Sequence, residues 1–397
     1  MELAVFSGKP AFAKPIPVGF PIVEADTRQR FHALMDEAFD RNYLTNDGPL
    51  LQRLESEIAS LHGVAHCAIV CNATIAQMLS LQALGLEGEV ILPSFTFIAT
   101  AHACLWQNLT PVFCDITEDT LTIDPDQVET LITPRTRAVI GVHLFGNPCQ
   151  VEKLETVCKK HGLSLIFDAS HAFGCSYGER SIGGFGDLEF LSFHATKFFS
   201  SFEGGAVLTN HADIDQKIRW NRNFGFEGYD NVQHLGINGK MSEAAAAMGL
   251  ASLPAVPRRM ANCQRVYRGY CERLSAIPGV SMVPVGEQGK SNYHYIVLIV
   301  DEAEYGVSRD TLVSVLWKEN VLARKYFYPG CHQMPFYRRR YPQRTWRLPV
   351  TERVSQQVLC LPSNLPHPEE DMDIIADIIV TVRKNAKRVQ QWCAMNP

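Results

Sequence analysis

The chain has 397 residues, a formal net charge of −5 at pH 7 and a pI near 6.2. This length predicts about two domains, and the acidic balance argues against nucleic acid or an anionic membrane as a partner. The sequence contains no run of about 18 apolar residues, so we expect no transmembrane helix. The N-terminal residues lack the basic and then apolar pattern of a secretory signal, so we expect a cytoplasmic protein.

The 12 cysteines are scattered along the chain and form no CxxC pair. Several of them stand in apolar runs, where a free cysteine behaves as a small hydrophobic residue. Together with the absence of an export signal, this favours reduced thiols over disulfides and predicts no metal site.

The first predicted element is an arm over residues 1–26, which is rich in proline and glycine up to residue 21. Helical spacing of apolar residues then predicts helices at 27–42 and 50–61. Seven buried strands follow, in alternation with helices, and are predicted at 66–71, 89–93, 111–114, 138–142, 164–168, 188–193 and 206–209. Such alternation predicts a mostly parallel sheet that is covered by helices on both faces.

The pattern changes near residue 279, after a long helical region at 242–274. Short strands are predicted at 280–284 and 293–300, and helices at 308–320, 351–359 and 371–389. We therefore expect a large α/β domain at 27–250 and a smaller α+β domain at 251–397.

Polar residues stand at or just past the ends of the predicted parallel strands, where ligands collect in sheets of this kind. They are Asn72, Thr96, Asp115, Asn147, Asp168 and Lys197. The turn of Asn72, Ala73 and Thr74 leads from a strand into a helix, so its backbone N–H groups and the helix dipole offer an anion site.

Lys197 stands among apolar and hydroxyl residues, which predicts partial desolvation, a lowered pKa and a nucleophilic amine. Asp168 ends a buried strand 29 positions earlier, where a proton-bearing nitrogen would keep the carboxylate ionised. A lysine that forms an imine and an aspartate that pairs with a pyridinium are groups that pyridoxal phosphate (PLP) chemistry uses. Ser192 offers a hydroxyl to the phosphate, and Phe97 offers a face to the ring.

Several longer stretches carry a resemblance to a known family. They are PSFTFIATAHA (93–103), PVFCDI (111–116), VHLFGNPC (142–149), FDASHAFGC (167–175), FHATKFFSSFEGGAV (193–207), NRNFGF (221–226) and GINGKMSEAAAAMGL (236–250). With these stretches the chain resembles the nucleotide-sugar aminotransferases named after DegT, DnrJ, EryC and StrS. The resemblance implies the aspartate-aminotransferase-like fold type I, with a seven-stranded large domain and a small C-terminal domain.

The resemblance also implies roles for single residues. Lys197 would form the imine with PLP and then serve as general base and acid, with pyridoxamine phosphate as the intermediate form of the cofactor. The cofactor-binding set would be Ala73, Thr74, Phe97, Asp168, His171, Ser192, Lys197 and Asn223. In this set, His171 would lie near the phenolic oxygen of the cofactor, and Asn223 would reach the phosphate of a neighbouring subunit. The role of Asn223 implies a homodimer with active sites at the subunit interface. The chain departs from the family in its phosphate turn, which reads Asn-Ala-Thr where many members have Ser-Gly-Thr.

The subgroup that these motifs resemble most acts on dTDP-4-dehydro-6-deoxy-D-glucose at C4, with L-glutamate as the amino donor. The product would be dTDP-4-amino-4,6-dideoxy-D-glucose for O-antigen or antibiotic sugars. Amination at C3 and a galactose-configured product at C4 remain alternatives. The related sugar dehydrases carry His in place of the lysine, so Lys197 favours transamination. A regulator with this fold would need a basic DNA-binding domain, which we do not expect here.

Other polar residues receive weaker assignments. Asn238, Lys240, Tyr326 and His332 are candidates for contact with the sugar substrate. His194 is expected to be structural, and Glu203 is expected to stabilise a turn. The run of Arg338, Arg339 and Arg340 is interpreted as a solvated face, with contact of one arginine to the nucleotide diphosphate as the alternative.

Overall fold

The computed structural model describes residues 1–19, 21 and 23–396. Two positions of the predicted arm, 20 and 22, therefore lie outside the described residues. None of the helices in the described part of the chain is long and apolar enough to cross a membrane. All 12 cysteines are free thiols, and nine of them are buried.

The described part of the chain contains 16 α-helices. They are α1 (Ala4–Ser7), α2 (Ala25–Asp40), α3 (Pro49–His62), α4 (Ala73–Ala83), α5 (Ile98–Trp106), α6 (Pro125–Leu131), α7 (Val151–His161), α8 (Ala212–Asn221), α9 (Glu243–Ser252), α10 (Val256–Leu274), α11 (Glu302–Tyr305), α12 (Arg309–Lys318), α13 (Pro335–Arg340), α14 (Pro349–Gln357), α15 (Pro368–Lys384) and α16 (Ala386–Met395). Short 3-10 helices occur at Leu144–Gly146, Leu253–Ala255 and Cys331–Gln333.

The same residues contain 14 strands. They are β1 (Ile16–Pro17), β2 (His66–Val70), β3 (Glu89–Pro93), β4 (Thr110–Cys114), β5 (Thr136–Val142), β6 (Ser164–Asp168), β7 (Ser176–Tyr177), β8 (Arg180–Ser181), β9 (Leu188–Ser192), β10 (Gly205–Thr209), β11 (Val280–Met282), β12 (Ile296–Val300), β13 (Val321–Leu322) and β14 (Val358–Leu361).

A seven-stranded sheet in the order β2-β10-β9-β6-β5-β3-β4 confirms the predicted mostly parallel sheet. Every neighbouring pair is parallel except the two that involve β10, which is antiparallel to β2 and to β9. The strands of this sheet are almost completely buried, as continuous apolar runs predict. Helices α3, α4, α5, α7 and α8 pack against its strands.

The chain divides into two compact units. The larger unit contains Pro21–Arg259 and Gly286–Asn292, and the smaller unit contains Met1–Phe20, Met260–Val285 and Tyr293–Pro397. The sequence predicts a domain boundary after residue 250 and a separate N-terminal arm at residues 1–26. The division differs from that expectation because the N-terminal residues are hydrogen-bonded within the smaller unit.

Glu319 explains that grouping in physical terms. Its buried carboxylate accepts hydrogen bonds from the backbone N–H of Ala4 at 2.6 Å and of Ala11 at 2.8 Å. In addition, β1 pairs in parallel with β13. Sequence patterns do not reveal these contacts, because they join residues about 300 positions apart.

The smaller unit has its own antiparallel sheet in the order β11-β12-β14. Its apolar core includes Tyr270 of α10, Leu312 of α12 and Ile375 of α15, all with no measurable exposure. A separate core of this kind is what an independently packed domain requires.

Candidate active site

The carboxyl ends of the parallel strands bring the predicted polar residues of the larger unit to one edge of the sheet. In the strand register, Asp168 at the end of β6 lies beside Val142 of β5 and Phe190 of β9. Gly205, the first residue of β10, lies between Ser192 of β9 and Val70 of β2. The turn after β2, the end of β9 and the start of β10 therefore meet at this edge.

The turn after β2 forms an anion cradle at the start of α4. The side chain of Asn72 caps the helix, since its Oδ1 accepts from the backbone N–H of Ile75 at 2.9 Å. Ala73 and Thr74 occupy the first two helical positions, where backbone N–H groups have no acceptor within the helix. This geometry resolves the role of Asn72: its side chain shapes the turn, while the backbone of the next two residues faces outward from the helix end.

Gly205 is packed against this cradle so closely that no side chain fits. A Cβ at this position would lie 2.6 Å from the carbonyl carbon of Asn72 and 2.7 Å from the nitrogen of Ala73. The start of β10 is therefore in direct backbone contact with the anion cradle. Gly204 and Gly205 follow one another in the sequence, but this pair does not by itself reveal the close approach of the two backbones.

Asp168 is 7% exposed and both of its carboxylate oxygens accept hydrogen bonds. Oδ2 accepts from the hydroxyl of Thr100 at 3.0 Å, and Oδ1 accepts from the backbone N–H of Ser170 at 3.0 Å. The hydroxyls of Thr100 and Thr96 are 3.1 Å apart. These hydrogen bonds fix the orientation of the Asp168 carboxylate at the end of β6.

Thr100 is a candidate site residue that sequence reasoning missed. It lies on α5, and its carbonyl oxygen accepts from the side-chain amide of Gln77 on α4 at 2.8 Å. The contact connects the helix of the anion cradle to the residue that holds Asp168. The available signal was a pair of threonines four positions apart, Thr96 and Thr100, at the start of an otherwise apolar helix.

Lys197 lies in the turn between β9 and β10, and its side chain is partly buried. Burial lowers the pKa of this lysine to about 8, although the nearby negative charge of Asp168 acts in the opposite direction. With a pKa of about 8, about a tenth of the amine is neutral at pH 7, far more than for an ordinary lysine. A partly neutral amine close to a carboxylate is suited to nucleophilic attack and proton transfer.

The turn that carries Lys197 is shaped by its neighbours. The carbonyl of His194 accepts from the backbone N–H of Lys197 at 2.9 Å. The ring nitrogen Nδ1 of His194 accepts from the backbone N–H of Thr196 at 3.2 Å, and its Nε2 lies 3.4 Å from the carboxylate of Glu203. His194 and Glu203 thus stabilise the turn, in agreement with the structural roles expected for them.

His171 is 8% exposed and lies in the turn after β6. Its Nδ1 accepts a hydrogen bond from the backbone N–H of Phe145 at 3.2 Å, and the two rings are stacked with centroids 5.9 Å apart. Phe145 adopts a positive φ of 57° in the turn after β5. Nothing in the sequence indicated this partner, because positive φ values of phenylalanine have no sequence signal.

Two further predicted residues differ strongly in exposure. Ser192 is 6% exposed at the end of β9, beside the first residue of β10. Phe97 directly precedes α5 after β3 and is 57% exposed. An exposed aromatic residue at this edge is suited to stacking on a planar ligand.

Asn223, Asn238 and Lys240 lie together on the irregular stretch after α8. Asn223 forms an isolated β-bridge with Asn238, and its Oδ1 accepts from Nζ of Lys240 at 3.0 Å. Burial and the positive charge of Arg222 lower the pKa of Lys240. The preceding Gly239 accepts from the N–H of Cys71 at 2.8 Å, which places this stretch beside the anion cradle.

Tyr326 and His332 belong to the smaller unit. Tyr326 stacks on Phe327 with ring centroids 5.1 Å apart, and burial raises its pKa. Nε2 of His332 lies 3.3 Å from the carboxylate of Glu352. The three arginines 338–340 are exposed at the end of α13 and form no ion pair with the described residues.

Comparisons with known proteins agree with this arrangement. The model of the DegT/DnrJ/EryC1/StrS aminotransferase family matches residues 25–380. Two relatives are named dTDP-4-amino-4,6-dideoxy-D-glucose transaminase. The protein from Shigella dysenteriae is 37% identical, with 90% of this chain and 95% of that protein covered. The protein from Escherichia coli is 37% identical, with 88% and 94% covered.

A solved structure also resembles this chain closely. The crystal structure of DesI in the presence of its TDP-sugar product superimposes with a TM-score of 0.92 and 44% sequence identity. The match covers 99% of this chain and 98% of that chain. The similarity therefore includes both compact units rather than the sheet alone.

Proposed function

The chain belongs to the DegT/DnrJ/EryC1/StrS aminotransferase family, and we propose that it transfers an amino group to a dTDP-linked keto sugar with the help of PLP. The substrate is dTDP-4-dehydro-6-deoxy-D-glucose, the donor is L-glutamate, and the product is dTDP-4-amino-4,6-dideoxy-D-glucose. The names of the two 37% identical relatives support this choice of sugar, and the TDP-sugar product of DesI supports a substrate linked to this nucleotide. The observation that carries the proposal is Lys197, whose pKa is lowered to about 8 in the turn after β9.

The residues of the site fit PLP in three respects. The helix start at Ala73 and Thr74 offers N–H groups to a phosphate. Asp168 is a buried carboxylate that accepts hydrogen bonds from Thr100 and Ser170, and a carboxylate is the partner that a pyridinium nitrogen requires. Lys197 supplies an amine with a lowered pKa. When bound, PLP supplies an electron sink that acidifies the Cα–H bond of the amino donor.

Each residue then has a physical role. Lys197 moves a proton as general base and then as general acid, because a pKa of about 8 lets both of its forms be populated near neutral pH. Asp168 holds a proton on the ring nitrogen of the cofactor. Ser192 contributes a hydroxyl to the phosphate, Phe97 stacks on the ring, and His171 contacts the phenolic oxygen.

Asn223 is assigned to the phosphate site of a second subunit in a homodimer, with Asn238 and Lys240 as substrate contacts beside it. The cluster that these three residues form, at the edge of the anion cradle, supports their common assignment. Tyr326 and His332 of the smaller unit are assigned to the sugar nucleotide.

The alternatives concern the sugar rather than the type of reaction. Amination at C3 of a 3-keto isomer and a galactose-configured product at C4 use the same residues, since about an angstrom in the placement of the sugar decides between them. A dehydrase is disfavoured because Lys197 is present where the related dehydrases carry His.

The test is incubation of the purified protein with PLP, [15N]glutamate and dTDP-4-dehydro-6-deoxy-D-glucose, followed by NMR of the product. We expect 15N in equatorial position at C4 and an equal amount of 2-oxoglutarate. Axial nitrogen at C4, a deoxygenated product without nitrogen, or nitrogen at C3 in a parallel incubation with the 3-keto isomer and none at C4 would each replace the proposal by one of the alternatives. The Lys197→Ala variant serves as the matched control and should yield no product.

A further inference from the structure

The segment Gly286–Asn292 belongs to the larger unit, although the chain on both sides of it belongs to the smaller unit. It lies beside the strand β7, and Gly289 forms an isolated β-bridge with Gly178, the residue after that strand. The N–H of Gly178 donates to the carbonyl of Gln288 at 2.7 Å, and the N–H of Ser176 donates to the carbonyl of Lys290 at 2.8 Å. The segment ends in Ser291 and Asn292, which both have no measurable exposure.

Asn292 contacts the two turns that follow β5 and β6. Its Nδ2 donates to the carbonyl of His171 at 2.9 Å and to that of Phe173 at 3.2 Å. On the other side of the amide, Oδ1 lies so close to Gly146 that a Cβ there would be 3.3 Å away. Asn292 is therefore hydrogen-bonded to the turn of His171 and packs, together with Ser291, beside Gly146 in the turn of Phe145.

A hydrogen bond between these turns determines which ring nitrogen of neutral His171 carries the proton. A neutral imidazole has one nitrogen that donates and one that accepts. Because the N–H of Phe145 donates to Nδ1, the proton of the neutral ring is on Nε2. The ring plane is also fixed, since the rings of Phe145 and His171 are stacked at an angle of 15°.

We propose that Asn292 is a positioning residue that holds the turn of His171 against the turn of Phe145, so that His171 is kept as the Nε2–H tautomer. In this form His171 is a hydrogen-bond donor at Nε2, which suits contact with an anionic oxygen such as the phenolic oxygen of PLP. Only the contact of Nε2 with the phenolic oxygen of PLP rests on the proposed function. The tautomer itself depends on contacts within the protein.

The tautomer is measured on cofactor-free protein that is labelled with 15N in histidine only. Imidazole 15N shifts distinguish the two neutral tautomers, and the signal of His171 is identified by its loss in His171→Gln. We expect the Nε2–H pattern in the wild type and a mixture of tautomers in Asn292→Ala. Ser252→Ala, at a buried serine at the end of α9, is the control and should keep the wild-type pattern.

The second readout is the pH midpoint of the visible absorbance of the cofactor-loaded protein. A donor at the phenolic oxygen favours its anionic form and so lowers this midpoint. We expect the midpoint to rise by about one pH unit in Asn292→Ala and in His171→Phe, and kcat of Asn292→Ala to fall about tenfold with little change in KM for the sugar. Asn292→Ser, which keeps one donor, should give intermediate values.

An Nδ1–H pattern for His171 in the wild type would overturn the proposal. So would a folded Asn292→Ala or Asn292→Ser variant with both the tautomer and the absorbance midpoint unchanged. If the protein bound no PLP, the proposed function would fail, while the histidine spectra of the cofactor-free variants would still decide the role of Asn292. Thermal unfolding of each variant separates loss of the fold from loss of the contact.

Discussion

At the scale of single residues, the central feature is a lysine that the fold makes less basic than usual. Lys197 is partly buried, and this burial outweighs the attraction of Asp168, so its pKa falls from 10.5 to about 8. The amine is therefore destabilising when charged, as expected for a group that is selected for reactivity rather than for stability.

This pKa predicts how Lys197 affects stability in the cofactor-free protein. Below about pH 8 the charged amine is disfavoured in the folded state, so Lys197→Met should raise the unfolding temperature at pH 7, by about 2–4 °C. Between about pH 8 and 10.5 the unfolded lysine binds a proton that the folded one does not, so the wild type regains stability. The difference should vanish near pH 10.5.

Thermal unfolding at pH 7 and pH 10 checks this prediction. Lys159→Met, at an exposed lysine of α7, is the control and should show no such pH dependence. A Lys197→Met variant that is less stable than the wild type at pH 7 would contradict the assignment of a lowered pKa.

Thr100 leads to a second prediction at this scale. Its hydroxyl is the donor to Oδ2 of Asp168, so Thr100→Val removes a hydrogen bond to a buried carboxylate without changing the shape of the side chain. Hydrogen bonds to charged groups contribute about 1.5–3 kcal/mol, and we expect the affinity for PLP to fall about tenfold or more. Thr100→Ser should restore it, and equal affinities of Thr100→Val and the wild type would exclude this role.

At the scale of elements, the site depends on how closely the start of β10 approaches the anion cradle. A Cβ at Gly205 would collide with backbone atoms of Asn72 and Ala73, which are not able to move like the end of a flexible side chain. Gly205→Ala should therefore displace the start of α4, lower the free energy of unfolding by about 1–3 kcal/mol and abolish tight PLP binding.

Denaturant unfolding and a cofactor titration measure these two effects. Gly184→Ala is the matched control, since its Cβ would meet only the side chains of Val64 and Asn210 at 3.3 Å. If Gly205→Ala bound PLP as tightly as Gly184→Ala, the cradle would not depend on this contact.

Much of the element structure was predictable from the sequence. All seven strands of the large sheet were predicted, because continuous apolar runs between helices have few other interpretations. Asp168 and Lys197 were predicted as candidates because a charged residue at or just past the end of a buried strand is unusual, and the structure brings their charges close enough to interact. The helix predicted at 27–42 is shifted by two residues, since α2 extends from Ala25 to Asp40.

The parts that sequence reasoning missed depend on contacts between distant residues. Thr100 is hydrogen-bonded to Asp168, and both Phe145 and Asn292 are hydrogen-bonded to His171. Asn292 and His171 are 121 positions apart in the chain. The short strand β13 and the grouping of the N-terminal residues have the same cause. No local periodicity reports which carbonyl a buried amide reaches.

At the scale of the whole molecule, the assignment of Asn223 to the site of a second subunit makes the active site a property of the dimer. In one chain, Asn223 already accepts from Lys240, so its side chain has a defined position before any partner is added. A site that combines residues of two subunits can be rebuilt from two inactive variants.

We therefore predict complementation between Lys197→Ala and Asn223→Ala. Each homodimer should be inactive or strongly impaired. A mixed dimer contains one site with Lys197 of one chain and Asn223 of the other, so the isolated mixed dimer should have about half of the wild-type activity. Activity after co-expression and separation by two affinity tags is the measurement, and no gain over the two variants alone would place Asn223 in the site of its own chain.

The most direct test of the account is to locate the lysine that holds the cofactor. The PLP-loaded protein is reduced with borohydride, digested and analysed by mass spectrometry. We predict that the cofactor is found on the peptide that contains Lys197, and that Lys197→Ala shows neither this label nor the visible absorbance band. A label on another lysine, or an unchanged band in Lys197→Ala, would contradict the central role of Lys197.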